Sequence, residues 1–395
     1  MTSLPFGLSS LRGYADGAGS GTESGDESPC GRSGFGTETG TETETDTDTL
    51  GTSPVFAQAP FPMVRQPVKI FCSVLPEMVY TLGFGLDALP RVAYALINCM
   101  LSSSAFVSVT HIHDELSLVV DEETLSLFLP HADVVNLHSQ AWRVIEISED
   151  SMQSAAGVFG RLSAPLAEHD ISIFYLSTYA SDYVLVPAAQ VRDAIAALKS
   201  RYAVGVAGEL PEAAPTSAMV AKFAAAGSSA ESSTGTGLTE PAPMAVTWPA
   251  VGDALRVLAV PERRFTAVFG ALCADLFVSA NAAAGAGTRF FSLTKTADEI
   301  SMLLEQRVVD ALEVPGLTLW SHTWVPLRVE GNVGGGDGFT ETGIVNRISA
   351  PLSRAGIPTF HLSTFASHFS LVRQQNSTDA AAALERSFQG ASASV

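Results

Sequence analysis

Arg161-Leu-Ser-Ala-Pro-Leu-Ala-Glu-His-Asp-Ile-Ser-Ile-Phe-Tyr-Leu-Ser-Thr-Tyr-Ala-Ser-Asp-Tyr-Val-Leu-Val186 recurs without a gap as Arg347-Ile-Ser-Ala-Pro-Leu-Ser-Arg-Ala-Gly-Ile-Pro-Thr-Phe-His-Leu-Ser-Thr-Phe-Ala-Ser-His-Phe-Ser-Leu-Val372. Fourteen of the 26 positions are identical at a constant offset of 186, so the chain carries an internal duplication. The repetition runs upstream. Trp142 to Ile147 matches Trp324 to Val329, and Val107 to Asp121 matches Phe291 to Glu305, the offsets drifting to 182 and 184 through small insertions.

Each copy reads in the same order. In the first, residues 68–75 read as a strand, 86–101 as a helix with apolar residues at three and four spacing, and 105–110 with 116–121 as a hairpin. A strand from Trp142, a helix over about 152–168 and strands at 171–176 and 183–186 follow. That is β-α-β-β twice per copy. The expected fold class is α+β, four ferredoxin-like βαββ units arranged as a tandem duplication of two double units. The boundaries fall at 67–140, 141–207, 248–320 and 321–389, with an Ala/Ser/Thr/Gly/Pro-rich linker at 208–247 and a short tail at 390–395. Pro165 and Pro351 recur late in a helix and predict a repeated bend or helix end.

Composition narrows the function classes. The chain has 395 residues, is 46% hydrophobic and carries a net charge of −19 from 22 basic and 41 acidic residues. That balance argues against nucleic acid or an anionic membrane surface as a partner. Residues 1–66 read as a disordered acidic tail: the first 65 hold nine acidic and three basic residues and few large apolar ones, leaving −13 for the remainder. The start lacks the basic cluster and apolar run of a signal peptide, and no apolar run reaches the roughly 18 residues of a membrane span, so the cytoplasm is expected. Cys30, Cys72, Cys99 and Cys273 show no metal-ligand spacing, which suits a reducing compartment.

The strings at 164–186 and 338–345, with Phe290 to Met302 and Leu116 to Glu123, resemble the CASTOR family, the cytosolic arginine sensors of the TOR growth pathway built from four ACT domains. The resemblance spans about 67–389. It implies four ACT units, a free amino acid bound between the second and fourth, a protein partner of the GATOR type, and a possible homodimer. The residues themselves allow such a site. A zwitterion needs donors and acceptors together, which strand-edge backbone and a helix N-terminus supply. The run Gly331-Asn-Val-Gly-Gly-Gly-Asp-Gly338 leads toward a helix opening near Thr340-Glu341.

Carried over position by position, the resemblance implies ligand contacts at Ser172 and Ile173 in the second unit. In the fourth it implies Gly338, Glu341, Ile344 and Val345 at the loop and helix, and Thr364 and Phe365 at a turn. Ile344 and Val345 also fit as plain core, and Ser or Thr as turn caps. His368 stands where the family has an aspartate, and Thr340 where it has another acidic residue. A desolvated guanidinium needs an anion or several acceptors, so these two departures leave the identity of the amino acid open.

His111 and His113 form H-x-H-D, which on a strand would put both rings on one face, but no third histidine lies near in sequence; no metal is expected. Neither a phosphate loop nor a nucleophile elbow is present, so the expectation is a binding protein without cofactor, not an enzyme. The alternatives are an ACT scaffold that binds no small ligand and an ACT regulatory subunit of amino-acid metabolism.

Overall fold

A computed structural model describes residues 69–113, 115–149, 158–207, 218–227, 245–247, 254–279, 289–312, 314–330 and 344–392. The acidic tail and the glycine-rich run at 331–338 lie outside them.

The first copy opens with β1, Lys69–Gly85, longer than the run at 68–75 predicted because the apolar alternation continues to Phe84. A 3-10 turn leads into α1, Leu89–Leu101, started by Pro90, which buries Leu89, Val92, Leu96, Cys99 and Met100 and exposes Tyr94. The hairpin β2, Phe106–Ile112, and β3, Glu115–Asp121, follows as expected. Its turn corrects one reading: His113 is not on the strand but in left-handed conformation at φ 58°. The two imidazoles therefore do not share a strand face, and His111 Nε2 lies 2.9 Å from the His113 carbonyl oxygen.

Asp121 caps the short α2, Glu122–Ser126, by accepting from the Thr124 N–H at 2.8 Å. Next come β4, Asn136–Glu149, which starts six residues before Trp142, then α3, Val158–Glu168, β5, Phe174–Ser177, β6, Asp182–Pro187, α4, Val191–Lys199, and β7, Ala203–Ala207.

Within 208–247, read as a flexible linker, the structure forms α5, Ala218–Ala225, and β8, Ala245–Thr247. Val220 and Phe223, one helical turn apart, are buried in a core drawn from both copies; Phe223 is fully covered. Burial of that size contributes about 1.5–3 kcal/mol per side chain, enough to hold a short helix that composition alone reads as linker.

The second copy comprises β9, Leu255–Val260, α6, Glu262–Cys273, β10, Phe290–Thr296, β11, Ile300–Glu305, α7, Gln306–Asp310, β12, Thr318–Leu319, β13, Trp324–Glu330, α8, Ile344–Arg354, β14, Thr359–Ser363, β15, His368–Arg373, and α9, Ser377–Ser392. Pro165 and Pro351 are both the eighth residue of an eleven-residue helix, so they sit inside α3 and α8 and do not end them.

Antiparallel pairing runs β9-β11-β10-β2-β3-β1-β4-β6-β5-β14-β15-β13, and β13 returns to β9. The sheet thus closes on itself. Two seams are single residue pairs, Leu176 opposite Leu362 and Trp324 opposite Leu255. Side chains alternate between the two faces. One face sends Val79, Phe106, Trp142, Leu176, Trp324 and Leu362, from both copies, into a shared core. On the other face α1 and α6 cover one cluster, α3 and α4 a second that also takes Val345 of α8, and α8 with α9 a third. The chain is an α+β protein.

Candidate functional site

The duplicated segments face each other as well as resembling each other. α3 and α8 cross closely because Gly160 has no side chain: a Cβ there would lie 3.3 Å from Ser353 Cβ and 3.4 Å from the Ser349 carbonyl oxygen. Ser163 and Ser349 bring their hydroxyls to 3.1 Å at the crossing. Below the helices, Ser363 Oγ accepts from the Tyr175 N–H and Ser177 Oγ accepts from the His361 N–H, each at 3.0 Å. Tyr175 and His361 are equivalent positions, as are Ser177 and Ser363. The exchange is a local two-fold relation.

This junction gathers several of the expected ligand contacts. Val345, on the first turn of α8, is buried in the cluster of Ile145, Leu162 and Tyr175, against which Ile173 packs. The sequence predicts a strand from residue 171, but the ladder starts at Phe174. Ser172 and Ile173 lie before it, half-buried and outside any helix or strand, and among the described residues neither takes part in a hydrogen bond. Gly338 and Glu341 lie outside the described residues, and of Ile344 only its place as the first residue of α8 is described.

His368, Thr364 and Phe365 stand together on the β14–β15 hairpin. His368 is buried; its Nδ1 lies 3.1 Å from Ser363 Oγ, and its ring stacks on His361 at 6.2 Å between centroids. His361 is fully covered, with Nδ1 2.9 Å from Ser370 Oγ, and burial, helped by neighbouring His368, holds its pKa well below the ordinary 6.5. Tyr175 meets His361 edge-on at 5.7 Å, so it links the two groups of candidate residues. Tyr175 and His361 were missed by the sequence reading. Their signal was there, as a mismatch inside an otherwise conserved stretch of the repeat.

Thr364 and Phe365 have a second commitment. Thr364 closes its turn by donating from N–H and Oγ1 to the Ser367 carbonyl, at 2.8 and 3.1 Å. The Phe365 N–H donates to Ser117 Oγ at 2.8 Å and the Ala366 N–H to Glu115 at 3.0 Å. The Phe365 ring rests on Gly83, where a Cβ would fall 2.6 Å from its Cγ.

The twin turn is tied in the same way to the other copy. The Tyr179 N–H donates to Ser301 Oγ at 2.8 Å, and Glu299 accepts from the Ala180 N–H and the Thr178 hydroxyl. Charge breaks the symmetry. Beside the Thr178 turn, Glu146 accepts from Ser181, facing Glu299, a like charge. Beside the Thr364 turn, Arg328 holds the equivalent place and donates to Ser367 at 3.4 Å. Burial, then the Glu146 and Asp298 charges, raise the Glu299 pKa against the opposing hydrogen bonds.

Among the described residues no group of three or more His, Cys, Asp or Glu could hold a metal, and no helix is long and apolar enough to cross a membrane.

Residues 138–200 and 320–386 match the ACT domain family. Among curated proteins, the chain is 27% identical over 340 residues to the cytosolic arginine sensor for mTORC1 subunit 1 of Bos taurus, covering 80% of this chain and 98% of that protein. Its Homo sapiens counterpart is 26% identical over 308 residues, covering 73% and 88%. Among solved structures, aspartate kinase from Synechocystis superposes with a TM-score of 0.31 at 13% identity, covering 82% of this chain and 56% of that one.

Proposed function

The chain is a divergent homologue of the CASTOR family of cytosolic arginine sensors, and from that premise we propose that it is a non-catalytic sensor that holds one free amino acid between its second and fourth ACT-type units. In this reading residues 67–140, 141–207, 248–320 and 321–389 are the four units, Ser172 and Ile173 present backbone to the ligand, and α8 presents its first turn. Gly338 and Glu341 complete the site from the glycine-rich loop. The observation that supports the reading is that Ile173 and Val345, from the second and fourth units, pack in one hydrophobic cluster.

The ligand's side chain faces a different chemistry from that of an arginine sensor. His368 is spent on Ser363 and stacked on His361, so no carboxylate stands at that place. Glu341 is the remaining anion in the expected set. By resemblance, ligand binding in the cytoplasm would release or recruit a GATOR-like partner of the TOR pathway, by coupling two sites through one folded body, and the chain could work as a homodimer.

A ligand that binds only the folded state raises the unfolding midpoint by mass action. Thermal scans with each common amino acid test the proposal: one of them raises the midpoint, and Glu341→Ala removes the shift without lowering the ligand-free midpoint. A scaffold reading draws on the engagement of Thr364 and Phe365 in holding Ser117 and Gly83. It predicts no shift with any amino acid.

A further inference from the structure

At the far end of β15 from His368 the second copy has a polar corner only partly matched in the first. Ser321, His322 and Thr323, leading into β13, and Arg373, Gln374 and Gln375, leaving β15, line a cavity of about 380 Å³. We propose that this corner is a second small-molecule site, for a compound carrying a phosphate or carboxylate oxyanion.

The lining has one guanidinium, one imidazole, two hydroxyls and two amides, and no carboxylate. Among the described residues the Arg373 side chain has no hydrogen-bond or ion-pair partner, and its Nε is buried. A buried guanidinium N–H left unbonded is costly, and its fork matches the paired oxygens of phosphate or carboxylate. Gln374 Oε1 accepts from Thr323 Oγ1 at 3.0 Å, which commits its carbonyl and leaves its NH₂ as a donor. Backbone bonds fix both walls: the Gln374 N–H donates to the Thr323 carbonyl at 3.0 Å, and Arg373 pairs with Trp324 in the ladder. The space exceeds a bare phosphate ion and matches the lower range of small-ligand pockets.

The duplication supplies an internal control. At the offset of 186, Arg373, Gln374 and Gln375 correspond to Pro187, Ala188 and Ala189, and at 182, Thr323 corresponds to Ala141. Ser321 and His322 correspond to the polar Ser139 and Gln140, so the first copy has small apolar residues at four of the six lining positions, the guanidinium and both amides among them. The corner is also separate from the proposed amino-acid site. Arg373 lies five residues along β15 from His368, about 17 Å at the rise of a strand.

The test uses the full chain and three probes at equal ionic strength: inorganic phosphate, ribose 5-phosphate and citrate, with sodium chloride as reference. Isothermal titration should show at least one probe binding in the micromolar to low millimolar range, and Arg373→Gln should weaken it tenfold or more. The preferred probe identifies the ligand as a phosphate ester or a polycarboxylate. Should Arg373→Gln fail to fold, the double variant Gln374→Ala/Gln375→Ala, which restores the first copy's residues, should weaken the same probe at least threefold. No heat beyond that of chloride for any probe, or equal affinity in wild type and variants, overturns the proposal. Amino-acid binding is expected to be unchanged in these variants.

Discussion

Ser163 and Ser349 stand 186 positions apart in the chain and 3.1 Å apart in space. The offset of the duplication is thus also a contact, and equivalent residues meet across a local two-fold axis. Tyr175 and His361, bonded to Ser363 and Ser177, stand on either side of that axis with different side chains. The duplicated scaffold is therefore asymmetric in its side chains close to that axis.

The paired serines below the helices hold the two copies together. Ser177→Ala leaves the buried His361 N–H without its acceptor and should destabilise the fold by about 1–3 kcal/mol. Ser363→Ala should cost more, because Ser363 also meets His368 Nδ1. Equilibrium urea unfolding of both variants checks the order; equal stability to wild type would mean that water replaces the hydroxyls.

Gly83 is required by a close approach. A methyl group there meets Cβ, Cγ and Cδ1 of Phe365 at 2.6–2.8 Å, near the ring's root, where it cannot swing aside. Gly83→Ala should lose about 1–3 kcal/mol, with much of the loss recovered in Gly83→Ala/Phe365→Ala relative to the sum of the single changes. Denaturation midpoints of the four proteins complete the cycle.

Much of this architecture was legible in the chain. The repeat fixed two equivalent copies, the hydrophobic periods located their helices and strands, and the recurrent prolines marked equivalent helices. The seams at Leu176–Leu362 and Trp324–Leu255 were not legible, because a single long-range pair leaves no periodic trace. The helix at 218–225 was hidden by an Ala/Ser/Thr-rich context and depends on the tertiary burial of Phe223. His113 looked like strand until the hairpin turned at it. Of the candidate site, Ile173 and Val345 share a hydrophobic cluster. Thr364 and Phe365 lie in a turn that ties the copies together, a role that depends on Ser117 and Gly83, 248 and 282 positions from Phe365 in sequence.

His361 gives stability a pH dependence of definite sign. Its folded pKa lies well below 6.5, so the unfolded chain binds a proton that the folded chain resists. The contribution is complete above 6.5 and is lost as pH falls below it. His111, its pKa also lowered chiefly by burial, acts in the same direction. Unfolding free energies measured from pH 7.5 to 5 should fall with pH, and His361→Phe should flatten but not abolish the slope.

Glu299 acts in the opposite sense. Its folded pKa is raised above 4.5, so the folded state holds the proton longer, and stability from this group falls as pH rises through the raised value. Glu146→Gln removes the like charge while keeping an acceptor for Ser181. It should raise the unfolding midpoint at pH 7.5 more than at pH 4. An equal change at both values would show that the two carboxylates do not interact.

The central claim is that one free amino acid occupies the junction of Ser172–Ile173 with the start of α8. Isothermal titration of the full chain against each common L-amino acid, arginine included, tests it most directly. The account predicts saturable binding of one amino acid at one site per chain, abolished by Glu341→Ala and unaffected by Arg373→Gln. Absence of binding by every amino acid, in a chain that unfolds cooperatively, would contradict it.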